Sequence, residues 1–208
     1  MSPVTFYANE AADKADDRHF YVGWHIGVNE GVEWPAKVGL GSGIALDGKL
    51  NTNAKIHGGV QFGYQYDHAR LEVELQHGGL NVRDFSLGLV SGGGQRSINY
   101  STLQVNGHRR FDITKKLGIS LGAGAGLARA SFPKIETGTN CNCMTGFSKT
   151  GFAYQFRAGL EYEVSERVQI VGHYNRLFLP AFENGSSLTT RYGKVNFGVT
   201  SIGLRIKF

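Results

Sequence analysis

Leu117-Gly118-Ile119-Ser120-Leu121-Gly122-Ala123-Gly124-Ala125-Gly126-Leu127-Ala128 is the stretch that decides the fold. Leu117, Ile119, Leu121, Ala123, Ala125 and Leu127 alternate with glycine, serine and alanine. A period of two marks a strand, whose successive side chains leave opposite faces of a sheet. One face here is apolar and the other is small. A solvated exterior has no reason to be small, whereas the inside of a narrow closed sheet does.

The same alternation recurs on both sides of this stretch. Phe20, Val22, Trp24, Ile26 and Val28 alternate with Tyr21, Gly23, His25, Gly27 and Asn29. Ile56, Val60, Phe62, Tyr64 and Tyr66 oppose His57, Gly59, Gln61, Gly63 and Gln65, and Leu71, Val73 and Leu75 oppose Arg70, Glu72, Glu74 and Gln76. A weaker segment covers residues 98–111. Further strands run through Phe152, Tyr154, Phe156, Ala158, Leu160 and Tyr162, through Val168, Ile170 and Tyr174, and through Ile202, Leu204, Ile206 and Phe208. That makes eight strands, with no helical period in any segment.

Composition narrows the class. Of 208 residues 30 are glycine, roughly twice the ordinary ~7%, yet only 4 are proline, so the glycine does not signal disorder or collagen. Mean hydropathy is -0.22, and no apolar run approaches the ~18 residues of a membrane helix. This excludes a helical membrane protein and leaves a β-barrel open. The net charge of +5 comes from scattered residues, which gives no sign of nucleic-acid binding.

Connections alternate in length. Short ones fall at Asp67-His68, at residues 112–115 and at residues 165–167; long ones span roughly residues 30–53, 78–96, 131–150 and 177–192. Short turns at one end and long loops at the other describe an up-and-down barrel with unlike mouths. The aromatic-rich apolar face then points to lipid. The sequence therefore predicts an all-β, eight-stranded antiparallel transmembrane β-barrel over residues 18–208, with short periplasmic turns and long extracellular loops. Residues 1–17 lack the basic and apolar regions of a signal peptide and read as a flexible lead-in, so an exported protein's leader is expected to be missing from this chain.

Phe20-Tyr21-Val22-Gly23, Val105-Asn106-Gly107 and Ile202-Gly203-Leu204-Arg205-Ile206-Lys207-Phe208 resemble the opening, fourth and closing strands of the small outer-membrane barrels of opacity-type and OmpA-like proteins. The resemblance covers residues 20–208 and does not include a periplasmic OmpA-like domain. It implies a Gram-negative outer membrane with the loops outside. It also implies insertion by the barrel assembly machinery, with Phe208 in the assembly signal.

The polar face places Arg70, Glu72, Glu74, Arg157, Glu161, Arg205 and Lys207 inside the barrel, with His57 and His173. Bare charges in a narrow lumen are costly, so they are expected to pair or to hold water. His57 and Gln65 are expected beside Glu72 and Glu74. Such a network is either a rigid polar plug or a gate on a narrow ion path. Nine cations fall on the long-loop side: Lys37, Lys49, Arg83, Arg96, Lys134, Lys149, Arg176, Arg191 and Lys194. A ring of them suits lipopolysaccharide phosphates and outer-membrane lipids. Cys141 and Cys143, one residue apart, form either a small local disulfide or two separate thiols.

No cofactor or metal is implied. A lipid A-modifying enzyme would need a nucleophile and base at the membrane rim, and none of the seven histidines has a serine two residues along, the spacing seen in lipid A deacylases. Two roles follow. One is a barrel displaying loops for adhesion or contact with a host or envelope protein; the other is a narrow porin for ions or small solutes. The apolar Leu80, Val82, Phe85, Leu87 and Leu89 and the stretch Leu177-Phe178-Leu179-Pro180-Ala181-Phe182 are too hydrophobic for plain loops. Strands that extend past the membrane and pack on one another would explain them, as would a binding patch.

Overall fold

The structure, a computed structural model, describes residues 18–39, 44–137, 141–144, 146–185 and 189–208; side chains at 94, 95, 135–137 and 141–144 are outside that description. The lead-in and the sulfur chemistry of Cys141 and Cys143 therefore lie outside the described residues. The strands are β1 (Arg18–Asn29), β2 (Glu33–Gly39), β3 (Ala45–Asn53), β4 (Ile56–Tyr66), β5 (Ala69–Leu87), β6 (Val90–Asp112) and β7 (Leu117–Phe132). They continue as β8 (Ile135–Thr137), β9 (Cys141–Met144), β10 (Phe147–Glu163), β11 (Val168–Leu179), β12 (Phe182–Asn184), β13 (Thr189–Tyr192) and β14 (Val195–Lys207).

Eight of them close a ring. The order β1, β4, β5, β6, β7, β10, β11, β14 and back to β1 is antiparallel at every step. Closure leaves this part of the sheet without an edge. Between Ile119 and Leu127 the outward face of β7 is apolar for nine residues, the ~9–11 that a tilted strand needs to cross a bilayer.

Among the described residues the long connections are mostly paired strand, so they are not plain loops, and the strands extend past the membrane and pack on one another. β2 and β3, residues 33–39 and 45–53, pair antiparallel, and most of residues 78–96 are the far ends of β5 and β6. Those ends meet in a two-residue turn at Gly88 and Leu89, where Gly88 supplies φ 57°, a conformation that glycine adopts at no steric cost. At 19 residues β5 is about 60 Å long at ~3.3 Å per residue, well beyond a membrane. β12, β13, β2 and β3 pair in series and join the far half of β5. A Cβ on Gly151 of β10 would press on the Pro180 ring and touch Phe182, which seats β10 beside β12. A second tier of sheet thus stands on the barrel.

Polarity inverts between the tiers before any change of register, since the bulge between Val82 and Asp84 lies beyond the inversion. Along β5 the inward residues Arg70, Glu72, Glu74 and Gln76 give way to Leu80 and Val82, all buried. The outward residues Leu71, Val73 and Leu75 give way to His77, Asn81 and Arg83. On β7, inward Ser120 is followed by Ala128, Ala130 and Phe132, and outward Leu127 by Arg129. Inside the second tier Trp34, Val38, Leu50, Phe85, Leu177, Phe182 and Tyr192 join these residues in one apolar core. Phe132 is its hub, stacked on Tyr192 at 3.9 Å and edge-on to Trp34 at 5.2 Å. The lower tier carries its apolar face outward; the upper tier carries it inward.

Candidate functional site

The lower lumen is built by β5 and β10, which face each other across it. Arg157 of β10 donates to Glu72 Oε1 at 2.8 Å and to Glu74 Oε2 at 2.5 Å, both on β5. Arg70 of β5 donates back to Glu161 Oε1 of β10 at 2.7 Å. The two strands are bolted by ion pairs of opposite sense. Arg205 joins Glu161 at 3.3 Å, and Gln155 and Asn106 each donate to Glu74 at 3.0 Å. Three buried arginines thus meet three buried glutamates, and neutral pairing offsets the cost of taking each charge out of water. Lys207 sits at the mouth, 2.9 Å from Glu163, which also receives Arg110 at 3.0 Å.

Tyr21, His108, Asn106 and Arg110 belong to this network although the sequence reading did not name them. The Tyr21 hydroxyl donates to Glu72 Oε2 at 2.7 Å, and His108 Nε2 lies 3.0 Å from Glu72 Oε1. Arg205 lies 4.7 Å over the Tyr21 ring. The available signal was position: Tyr21 is the largest residue on the inward face of β1, and Gly63 stands opposite. His57 and Gln65 lie near Glu72 and Glu74, as expected, but bond to the Ser201 hydroxyl and the Asp67 carbonyl and not to the carboxylates. The turn at Asp67 pairs Tyr66 with Ala69, which sets Gln65 against Arg70 and His57 against Gly78.

His57 instead joins His25 and His173, with ring centroids 5.1 and 4.9 Å from His25. His57 Nε2 is 2.8 Å from the Ser201 hydroxyl. The spacing suits a base and a nucleophile, but His57 Nδ1 has no orienting acid and the pair is sealed in the lumen. Among the described residues no three His, Cys, Asp or Glu side chains are arranged to hold a metal ion.

The nine loop-side cations do not form a bare ring. Lys37 pairs with Asp47 at 2.9 Å, Lys49 with Glu33 at 2.8 Å and Arg83 with Asp84 at 2.7 Å. Arg176 pairs with Glu30 at 3.1 Å and Arg191 with Glu183 at 3.9 Å. Arg96 donates to the Lys134 carbonyl, and Lys149 and Lys194 are exposed. Hydrogen bonds from Arg83 and Asn51 hold the Asp84 carboxyl below its ordinary value, and Glu33 raises the Lys49 ammonium. The strand pairing supplies these carboxylates: hairpin β2–β3 sets Lys37 directly across from Asp47. Cations the sequence reading passed over are Lys55 and Arg129, with His77 in the same row as Arg129.

A family model described as outer membrane protein beta-barrel domain matches residues 3–208. The chain belongs to that family. This outer-membrane barrel is similar in fold to OprG from Pseudomonas aeruginosa, at 15% identity and TM-score 0.66 over 93% of this chain and 97% of that one. It is also similar to Neisserial surface protein A, at 17% identity and TM-score 0.57 over 91% and 97%. No curated protein matches the sequence. The family places the barrel in the outer membrane of a Gram-negative bacterium.

Proposed function

We propose that this outer-membrane barrel is a closed display scaffold, which holds its second tier outside the cell for contact with a host or envelope molecule. The observation that carries the reading is a lumen filled twice over. Paired arginines and glutamates fill the lower tier, and an apolar core caps it from Trp34 to Phe197. The cavity beside Arg70, Arg157 and Arg205 is about 10 Å³, room for about one water. The outward orientation is supported by short turns at the opposite end. A stiff sheet with ion-paired edges suits recognition, because little ordering cost is left to pay on binding.

Planar-bilayer recording tests the closed lumen. The wild type and the Glu72→Ala and Arg157→Ala variants are all expected to be silent. Conductance steps in the wild type that shift in either variant would favour a narrow channel instead. Pull-down on intact cells, comparing wild type with a variant carrying a shortened β2–β3 hairpin, tests display: partner capture should fall while the folded barrel persists.

A further inference from the structure

Four adjacent strands cross the upper boundary of the apolar belt in register. Leu75, Leu103, Leu127 and Phe152 form one outward row across β5, β6, β7 and β10. The next row is His77, Ser101, Arg129 and Thr150, and the one after it Gly79, Asn99, Ser131 and Ser148. Lys55 lies over Gly79 and reaches Asn99 Oδ1 at 3.4 Å, while His77 Nδ1 is 2.9 Å from the Ser101 hydroxyl. Neither polar row contains a carboxylate. Arg129 is exposed and carries no ion pair among the described residues, unlike the five paired cations of the second tier.

Below Arg129, past the row of Leu103, Leu127 and Phe152, the outer wall is indented. Ala123 and Ala125 of β7 form the floor, Val105 of β6 one wall, and Tyr154 and Phe156 of β10 the other, around a groove of about 380 Å³. Gly107 pairs with Ala123 beside the groove and leaves open space there, since a Cβ on it would meet nothing within 4 Å. Tyr154 is held upright by a parallel stack on Phe178 at 4.6 Å. Ala125 and Arg129 are four residues apart on one strand, about 13 Å at ~3.3 Å per residue.

We infer that the cationic rows and the groove form one site for the lipid A portion of lipopolysaccharide. A phosphate sits at Arg129 with Lys55 and His77 alongside, and an acyl chain descends between Val105 and Tyr154. The inference rests on the outward orientation proposed above, because lipopolysaccharide occupies the outer leaflet. Charge selects this lipid over an ordinary phospholipid. A zwitterionic headgroup would bring its own ammonium to rows that already hold cations and no acid, whereas a bisphosphorylated one brings only anions. The donors also span two strand spacings, about 10 Å, which suits a broad head with more than one phosphate.

The test is native mass spectrometry of the purified full chain, titrated with bisphosphorylated hexa-acyl lipid A and, separately, with phosphatidylethanolamine. One lipid A is expected to be retained about tenfold more tightly than phosphatidylethanolamine, and Arg129→Glu and Ala125→Phe should each weaken it about tenfold. Arg109→Glu, an outward arginine at the other end of β6, should leave retention unchanged. Heat-modifiable gel migration verifies that each variant is folded. Equal retention of the two lipids by the wild type, or wild-type retention by both site variants, overturns the site. So does efficient dimer cross-linking through Ala125→Cys in native membranes, which would give the groove to a second copy. Orientation is read apart, by labelling Leu89→Cys on intact cells with an impermeant maleimide in a background lacking Cys141 and Cys143. Labelling without lipid A preference rejects the site alone; absent labelling rejects the orientation and the site with it.

Discussion

Gly63 and Tyr21 show how single positions govern the lumen. They face each other on paired strands, and a Cβ on Gly63 would overlap the Tyr21 hydroxyl that donates to Glu72. Gly63→Val is therefore an overpacking change at a hydrogen-bonded ring, expected to cost about 1–3 kcal/mol. It should lower the temperature at which the folded gel band converts, and a Tyr21→Ala change added to it should recover part of the loss by freeing the space. Arg157 makes the complementary case. Arg157→Met strands two buried carboxylates and should cost about 3–5 kcal/mol, since breaking one member of a buried ion pair leaves bare charge. Adding Glu72→Gln and Glu74→Gln to that variant should restore most of the stability in urea titrations. If the triple variant is no better than the single one, the lumen charges are not held by mutual pairing.

At the level of elements, the hairpin β2–β3 depends on one anchor. Trp34 is fully buried, donates to the Gly193 carbonyl at 2.8 Å and packs edge-on to Phe132. Trp34→Ala should cost about 3–5 kcal/mol locally. Expected is faster protease cleavage within residues 33–53 while the barrel below keeps its heat-modifiable migration; simultaneous loss of both would mean the tiers fold as one unit. This hairpin also marks where sequence reading stopped short. The staves at residues 20–28, 117–128 and 152–162 were legible because alternation is uninterrupted there. Trp34, Ala36 and Val38 alternate with Glu33, Pro35 and Lys37 in the same way. Above the belt the apolar set turns inward and the polar set outward, so the rule that reads the lower staves does not carry over to them. In residues 80–87 a register shift between Val82 and Asp84 broke the alternation as well. The lumen residues were readable from parity; apart from Asp84, which follows Arg83 in the chain, the carboxylates that neutralise the loop-side cations needed the strand register, which no local pattern supplies.

For the whole molecule, the inversion of polarity predicts a depth profile. Ala158 lies mid-belt on the outward face of β10 and Thr150 lies beyond it, in the row of Arg129. Ala158→Arg should destabilise the barrel in lipid by about 2–4 kcal/mol and Thr150→Arg by about 0–1, as the cost of a lipid-facing cation falls with distance from the midplane. Equal costs would contradict the placement of the boundary. The same boundary gives the protein a property that neither tier has alone. A plain hydrophobic cylinder can ride up or down by a residue pair at little cost. Here a slip in one direction drowns Arg129 in hydrocarbon, and a slip in the other lifts Leu127 and Phe152 into water. The molecule is a caliper: it prefers one bilayer thickness, and membranes that are thicker or thinner must deform around it or exclude it.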